Sequence, residues 1–144
     1  MKREAWQPPL GLHIVIAWLW ISTGLNLLYW LIFFTSGALR ISQDAVYAGF
    51  EAAFPAADAW LAVASIACAE GLRRRRSWAV LYGIAAGSAF VYLGLMDTLY
   101  NLEHAAYLHL TNEMIPEIVI NVTCFVFGPF LMWYVWRQRR WLGA

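Results

Sequence analysis

Charge is the first thing this sequence lacks. Only 13% of its 144 residues are Asp, Glu, Lys or Arg and 62% are hydrophobic, whereas soluble domains carry roughly 25% charged residues. A chain of this length has too little interior to hide so much apolar surface from water, which excludes a soluble globular domain. Cysteine is nearly as scarce. Cys68 and Cys124 lie inside apolar blocks and form no CxxC pair, so neither a disulfide framework nor a zinc site is indicated and both read as buried free thiols. Internal repeats, low-complexity tracts and a Gly-rich phosphate loop are missing too. No cofactor and no metal ligand set is expected.

What is present falls into four apolar blocks, at about residues 10–34, 51–72, 77–100 and 115–137. Each is near the ~20 residues that a helix needs to cross ~30 Å of hydrocarbon. The expected fold is all-α, an integral membrane four-helix bundle forming one domain over residues 1–144. Lys2 and Arg3 before the first block resemble the start of a signal peptide, but the block runs 25 residues without a small-x-small cleavage site, which reads as a retained membrane helix.

Nine of the ten Lys and Arg residues lie in three places: Lys2 and Arg3, Arg73 to Arg76, and Arg137, Arg139 and Arg140. Arg40 alone sits in the other two connections, so the positive-inside rule places both termini and the tetra-arginine turn in the cytoplasm. The same turn could attract nucleic acid or anionic lipid. With a membrane helix on each side it is read as a topological signal, and no nucleic-acid partner is expected. Trp78, Trp136 and Trp141 near the inner ends, and Trp30 and Tyr100 near the outer ends, suit aromatic belts at the interfaces.

This orientation gives every acid a depth. Glu51 stands at the outer boundary of the second helix, and Asp58, seven residues on, lies on the same face ~10 Å deeper. The third helix carries Asp97 in its last turn with Asn101 one turn above, the fourth carries Glu117 and Asn121 on one face, and the first contributes Ser22, Thr23 and Asn26. Only Glu4 and Glu70 belong to the arginine side. A carboxylate at the centre of a membrane helix costs at least ~2.5 kcal/mol and turns toward a partner or water in the bundle. Acids from three helices at similar depth therefore share protons or wait for a cation. Glu51 and Glu113 read equally well as interfacial residues reaching headgroup water.

Packing signals point to an interior site at the same end. Alanines crowd the second helix, and Gly83 and Gly87 have GxxxG spacing in the third, followed by Ser88 and Gly94, which lets helices approach closely. Pro55 interrupts the first turn of the second helix, and Gly128 with Pro129 interrupts the fourth, where freed carbonyls tend to line cavities. Trp18, Trp30, Trp60, Phe90, Tyr92 and Phe125 are the expected aromatic wall.

The run Asp97-Thr-Leu-Tyr100-Asn-Leu-Glu103-His104 resembles the Asp-x-Leu-Tyr followed by Glu-His of the emopamil-binding proteins, the sterol double-bond isomerases of the EXPERA superfamily. Glu51 is similar to the acid that opens the matching helix there, and Asn121 followed by Pro129 resembles the Asn and later Pro of the last helix. The likeness spans roughly residues 12–138 in sparse positions. It implies a four-helix membrane fold with a pocket for a lipophilic molecule. The departures bear on activity. Where the isomerases carry a His and a Glu one turn apart on the first helix, this sequence has Ser22 and Asn26. Cys124 replaces a tryptophan, and the Asn121 to Pro129 spacing is one residue longer.

Two functions remain open. One is an EXPERA-like protein that binds a sterol-, isoprenoid- or cationic amphiphile-like molecule, with Glu51, Asp58 and Asp97 as proton-transfer groups if a double bond is isomerised, and Asn26, Trp30, Tyr100, Asn101, Glu117 and Asn121 around the ligand. The other is a proton- or cation-coupled small transporter, or an accessory subunit of a membrane complex, with the acids as a relay. The expected partners are the lipid bilayer and a lipophilic small molecule, with the chain acting alone or as a homodimer.

Overall fold

The computed structural model describes residues 8–36, 45–108 and 114–144. It contains α1 (Leu12–Thr35), a short α2 (Ala45–Glu51), α3 (Phe54–Arg73), α4 (Trp78–Glu103), a 3-10 turn at Ala106–Leu108 and α5 (Met114–Arg137). Four stretches, α1, α2 with α3 from Ala48, α4 and α5, are long and apolar enough to cross a membrane. No strand occurs among the described residues.

The break between α2 and α3 follows from Pro55. A proline has no N–H to give to the carbonyl four residues back, here that of Glu51, so the chain turns at residues 52 and 53 and restarts with Pro55 in the first turn of α3. Glu51 thus ends a separate short helix instead of heading α3, and the shared face expected for Glu51 and Asp58 is interrupted. The arginine turn is built by hydrogen bonds rather than by glycine. Arg76 N–H bonds to Gly71 O at 2.8 Å and Arg75 N–H to Leu72 O at 3.2 Å, with Arg75 in the left-handed region at φ 52°, which is the Schellman arrangement that closes a helix C-terminus. Arg75 lies 4.6 Å over the Trp141 ring, and Glu70 pairs with both Arg73 and Arg74.

Lipid is as apolar as leucine, so membrane helices associate through close packing and not by escaping solvent. The packing here is close where side chains are small. α4 lies between α3 and α5, and α1 packs on α3. At Gly87 an added Cβ would fall 2.7 Å from Gly128 O, and at Gly128 one would fall 2.8 Å from Gly87 O, so the backbones of α4 and α5 touch there. Leu72, Cys68, Leu131 and Val135 are fully buried in the same core. The expected interruption at Gly128-Pro129 is absent: α5 runs unbroken through Pro129, its lost hydrogen bond tolerated where a neighbouring helix lies against the site.

Toward the arginine end, α5 contacts α1 and the residues just before it. Tyr134 Oη donates to Leu10 O at 3.4 Å, and the Trp18 and Phe127 rings lie 5.8 Å apart. Beyond that bar a cavity separates the two helices.

Candidate functional site

The cavity has a volume of about 250 Å³. Its sides are apolar, from Trp18 and Leu25 of α1, Leu61 of α3, Phe90 and Leu93 of α4, and Ile120 of α5. Its polar groups gather at the far end. Glu51, Asp58, Asp97 and Glu117 line it together with Asn26, Trp30 and Asn121. The mouth lies between α1 and α5, where Ile21, Leu25, Val119 and Ile120 are exposed on the outer surface of the bundle.

Two polar groupings occupy this end. In the first, Trp30 Nε1 donates to Asp58 Oδ2 at 2.7 Å, and Asn26 lines the cavity with them. Trp30 thus faces the site from the end of α1 instead of serving only an interfacial belt. In the second, carboxyl oxygens of Glu51, Asp97 and Glu117 all lie within 4.8 Å of one another. Local contacts hold each of them. The Phe50 ring stacks on Tyr100 with centroids 4.0 Å apart, which seats α2 against the end of α4 and brings Glu51 to Asp97, one turn before Tyr100. Asn101 Nδ2 donates to Glu117 Oε1 at 2.8 Å. Asp97 lies beside Glu117 in this cluster. Two carboxyl groups in such contact share a proton, or a cation bridges them.

Some expected site residues stand elsewhere. Tyr100 does not reach the cavity, because its ring is held between Phe50 and His104, the latter at 4.1 Å between centroids. Asn101 is fully buried behind Glu117 and acts on the cavity only through it. Trp60, Tyr92 and Phe125 are exposed on the outside, since the cavity side of their helices is taken by Leu61, Leu93 and Cys124. Trp18, Trp30 and Phe90 do form the aromatic wall. The Ser22 hydroxyl donates to Leu19 O at 3.1 Å and that of Thr23 to the same carbonyl at 2.8 Å, so both are turned to their own helix. Glu51 and Glu117 are buried, which removes the interfacial reading for Glu51. Glu113 and Arg40 lie outside the described residues.

The residue the sequence did not single out is Tyr107. Its hydroxyl accepts from Asn121 Nδ2 at 3.2 Å and from Asn101 Nδ2 at 3.5 Å, tying the segment after α4 to the two asparagines. An aromatic residue in a connection carries no periodic signal, and only the asparagines on two neighbouring helices could have suggested a partner.

No protein-family model, curated protein or solved structure matches the chain.

Proposed function

We propose that the protein binds a lipophilic molecule that enters from the bilayer between α1 and α5. Its apolar body lies against Trp18, Phe90 and Leu93, and its polar or cationic end rests on the acids. One observation carries this reading: a cavity of about 250 Å³ whose apolar walls end on four carboxyl groups and whose mouth opens between exposed apolar side chains. Its volume is near the lower end of small-molecule sites, ~300–1,000 Å³. The separation of apolar wall from charged floor suits an amine on a bulky apolar body, since buried carboxylates and aromatic faces both attract a desolvated cation.

An EXPERA-like chemistry is the finer form of this proposal. A carboxyl group of Glu51, Asp58 or Asp97 gives a proton to one carbon of a substrate double bond and leaves a carbocation at the other; a neighbouring carboxylate takes a proton from the carbon on the far side of that cation, so the double bond moves by one position with no net change in protons. The relay of a transporter fits less well. Among the described residues the acid nearest the arginine end, Glu70, is paired with Arg73 and Arg74 and lies outside the cavity.

The test is a competition series of matched cationic and neutral amphiphiles against the purified protein. Asp97→Asn and Glu117→Gln should weaken the cationic members at least tenfold, ~1.4 kcal/mol, and leave neutral ones nearly unchanged. Equal loss for both, or binding of neither, would sink the pocket reading. The accompanying topology, with the acid end outside and both termini in the cytoplasm, rests on the arginine asymmetry. A Cys-free variant carrying Ser36→Cys should label from outside intact cells. Labelling only after permeabilisation would invert the orientation.

A further inference from the structure

Glu51, Asp97 and Glu117 present three carboxyl oxygens within 4.8 Å of one another. The cavity they line holds a further buried oxygen that has no donor among the described residues. Asn121, only 5% exposed, lines the same cavity as the three acids. Its Nδ2 donates to Tyr107 Oη at 3.2 Å, while its buried Oδ1 accepts no hydrogen bond from the described residues. A buried amide oxygen in the same cavity as a carboxyl cluster is an unusual arrangement for a protein to keep, because such an atom ordinarily has a donor. A cation satisfies it and the carboxylates together. We propose that Glu51, Asp97, Glu117 and Asn121 form a binding site for a hard divalent cation of the Ca²⁺ or Mn²⁺ kind.

The geometry suits such an ion. Oxygens bound to one Ca²⁺ at ~2.3–2.6 Å lie at most about 5 Å apart, so the three carboxyl groups can meet on one ion where they stand. All four donors are oxygens, the set that selects Ca²⁺, Mg²⁺ or Mn²⁺ over zinc or copper, which prefer imidazole or thiolate. Supporting contacts of the kind that orient metal ligands are also in place. Asn101 Nδ2 holds Glu117 at 2.8 Å, and Tyr107 Oη receives the amide nitrogens of both Asn101 and Asn121, which fixes the side from which Asn121 Oδ1 is offered. Four protein oxygens leave two or more of the usual six to eight positions of Ca²⁺ to water or to an oxygen of a molecule in the cavity. Asp58, bonded to Trp30, belongs to the separate grouping and is not a ligand.

The experiment uses the full chain in nanodiscs of zwitterionic lipid, titrated with Mn²⁺ alone and read by the paramagnetic resonance signal of the free ion. One Mn²⁺ per chain should bind at or below millimolar concentration and be displaced by Ca²⁺. Glu117→Gln and Asp97→Asn should weaken binding at least tenfold, and Glu70→Gln, outside the cavity at the arginine end, should leave it unchanged. Asn121→Asp, which keeps the side-chain shape and adds a negative charge, should tighten it, and this gain of function carries the test should Glu117→Gln fail to fold. Absence of saturable binding at millimolar Mn²⁺ overturns the proposal. So does binding that Glu117→Gln leaves intact, or that Asn121→Asp does not strengthen. Because the probe is the metal alone, the result stands apart from whether the cavity takes an amphiphile.

Discussion

The two halves of the bundle solve opposite problems. Toward the arginine end, α4 and α5 touch backbone to backbone at Gly87 and Gly128, and Leu72, Leu131 and Val135 fill what space remains. Toward the acid end the same two helices carry Asp97, Asn101, Glu117 and Asn121, and α1 stands apart from α5 across a cavity. In a bilayer, where helices gain little from burying apolar surface, the first half holds the structure by contact. The second accepts buried carboxyl groups that packing alone would never favour. Close helix contact at Gly87 and Gly128 and the buried carboxyl groups thus lie at different levels of the bundle.

The sharpest way to break this comparison is to make one substitution in both halves. Gly87→Ala would place a Cβ 2.5 Å from Met132 Cγ and 2.7 Å from Gly128 O, forcing α4 and α5 apart; a loss of about 3 kcal/mol is expected in reversible unfolding from detergent. A neutral Gly87→Ala would show that the helix contact is not what holds this half together. A smaller effect is expected for Trp30→Phe, which removes the donor to Asp58 at 2.7 Å and should lower stability by about 1–2 kcal/mol. Asp58→Asn keeps an acceptor for the Trp30 N–H and should lose less, so the two variants together separate the hydrogen bond from the charge. The smallest effect, and of opposite sign, belongs to Gly24→Ala on α1. Nothing lies within 4 Å of the added methyl, and the helix should gain about 0.5–1 kcal/mol. Destabilisation there would mean that α1 has a neighbour at this level and that the acid half is more closed than described.

The four membrane helices were legible in the sequence because blocks of ~20 apolar residues leave few alternatives. Their facing was not. Each is apolar nearly all round, so Trp60, Tyr92 and Phe125 carry no mark that separates an outer position from a wall of the cavity, and all three lie outside. The acids were legible for the opposite reason, since an ionisable residue in such a helix stands out against its neighbours. What spacing could not show is which acids meet. Glu51 reaches Asp97 and Glu117 through the turn that Pro55 imposes and the stacking of Phe50 on Tyr100, while Asp58 is held apart by Trp30. Glu117, placed by its sequence among the ligand contacts, stands in one cluster with Asp97 and Glu51.

The mouth between Ile21 and Leu25 on one side and Val119 and Ile120 on the other changes what affinity means for this protein. A ligand that arrives through that gap has already left water, so the step from lipid into the cavity no longer includes the transfer out of water. Occupancy then follows its mole fraction in the surrounding lipid, and adding lipid at a constant total amount of ligand and protein should lower it. Two compounds with the same fit to the cavity would differ in apparent potency by the ratio of their partition coefficients, and a weak binder that concentrates in the membrane could occupy the site more fully than a tight one that does not.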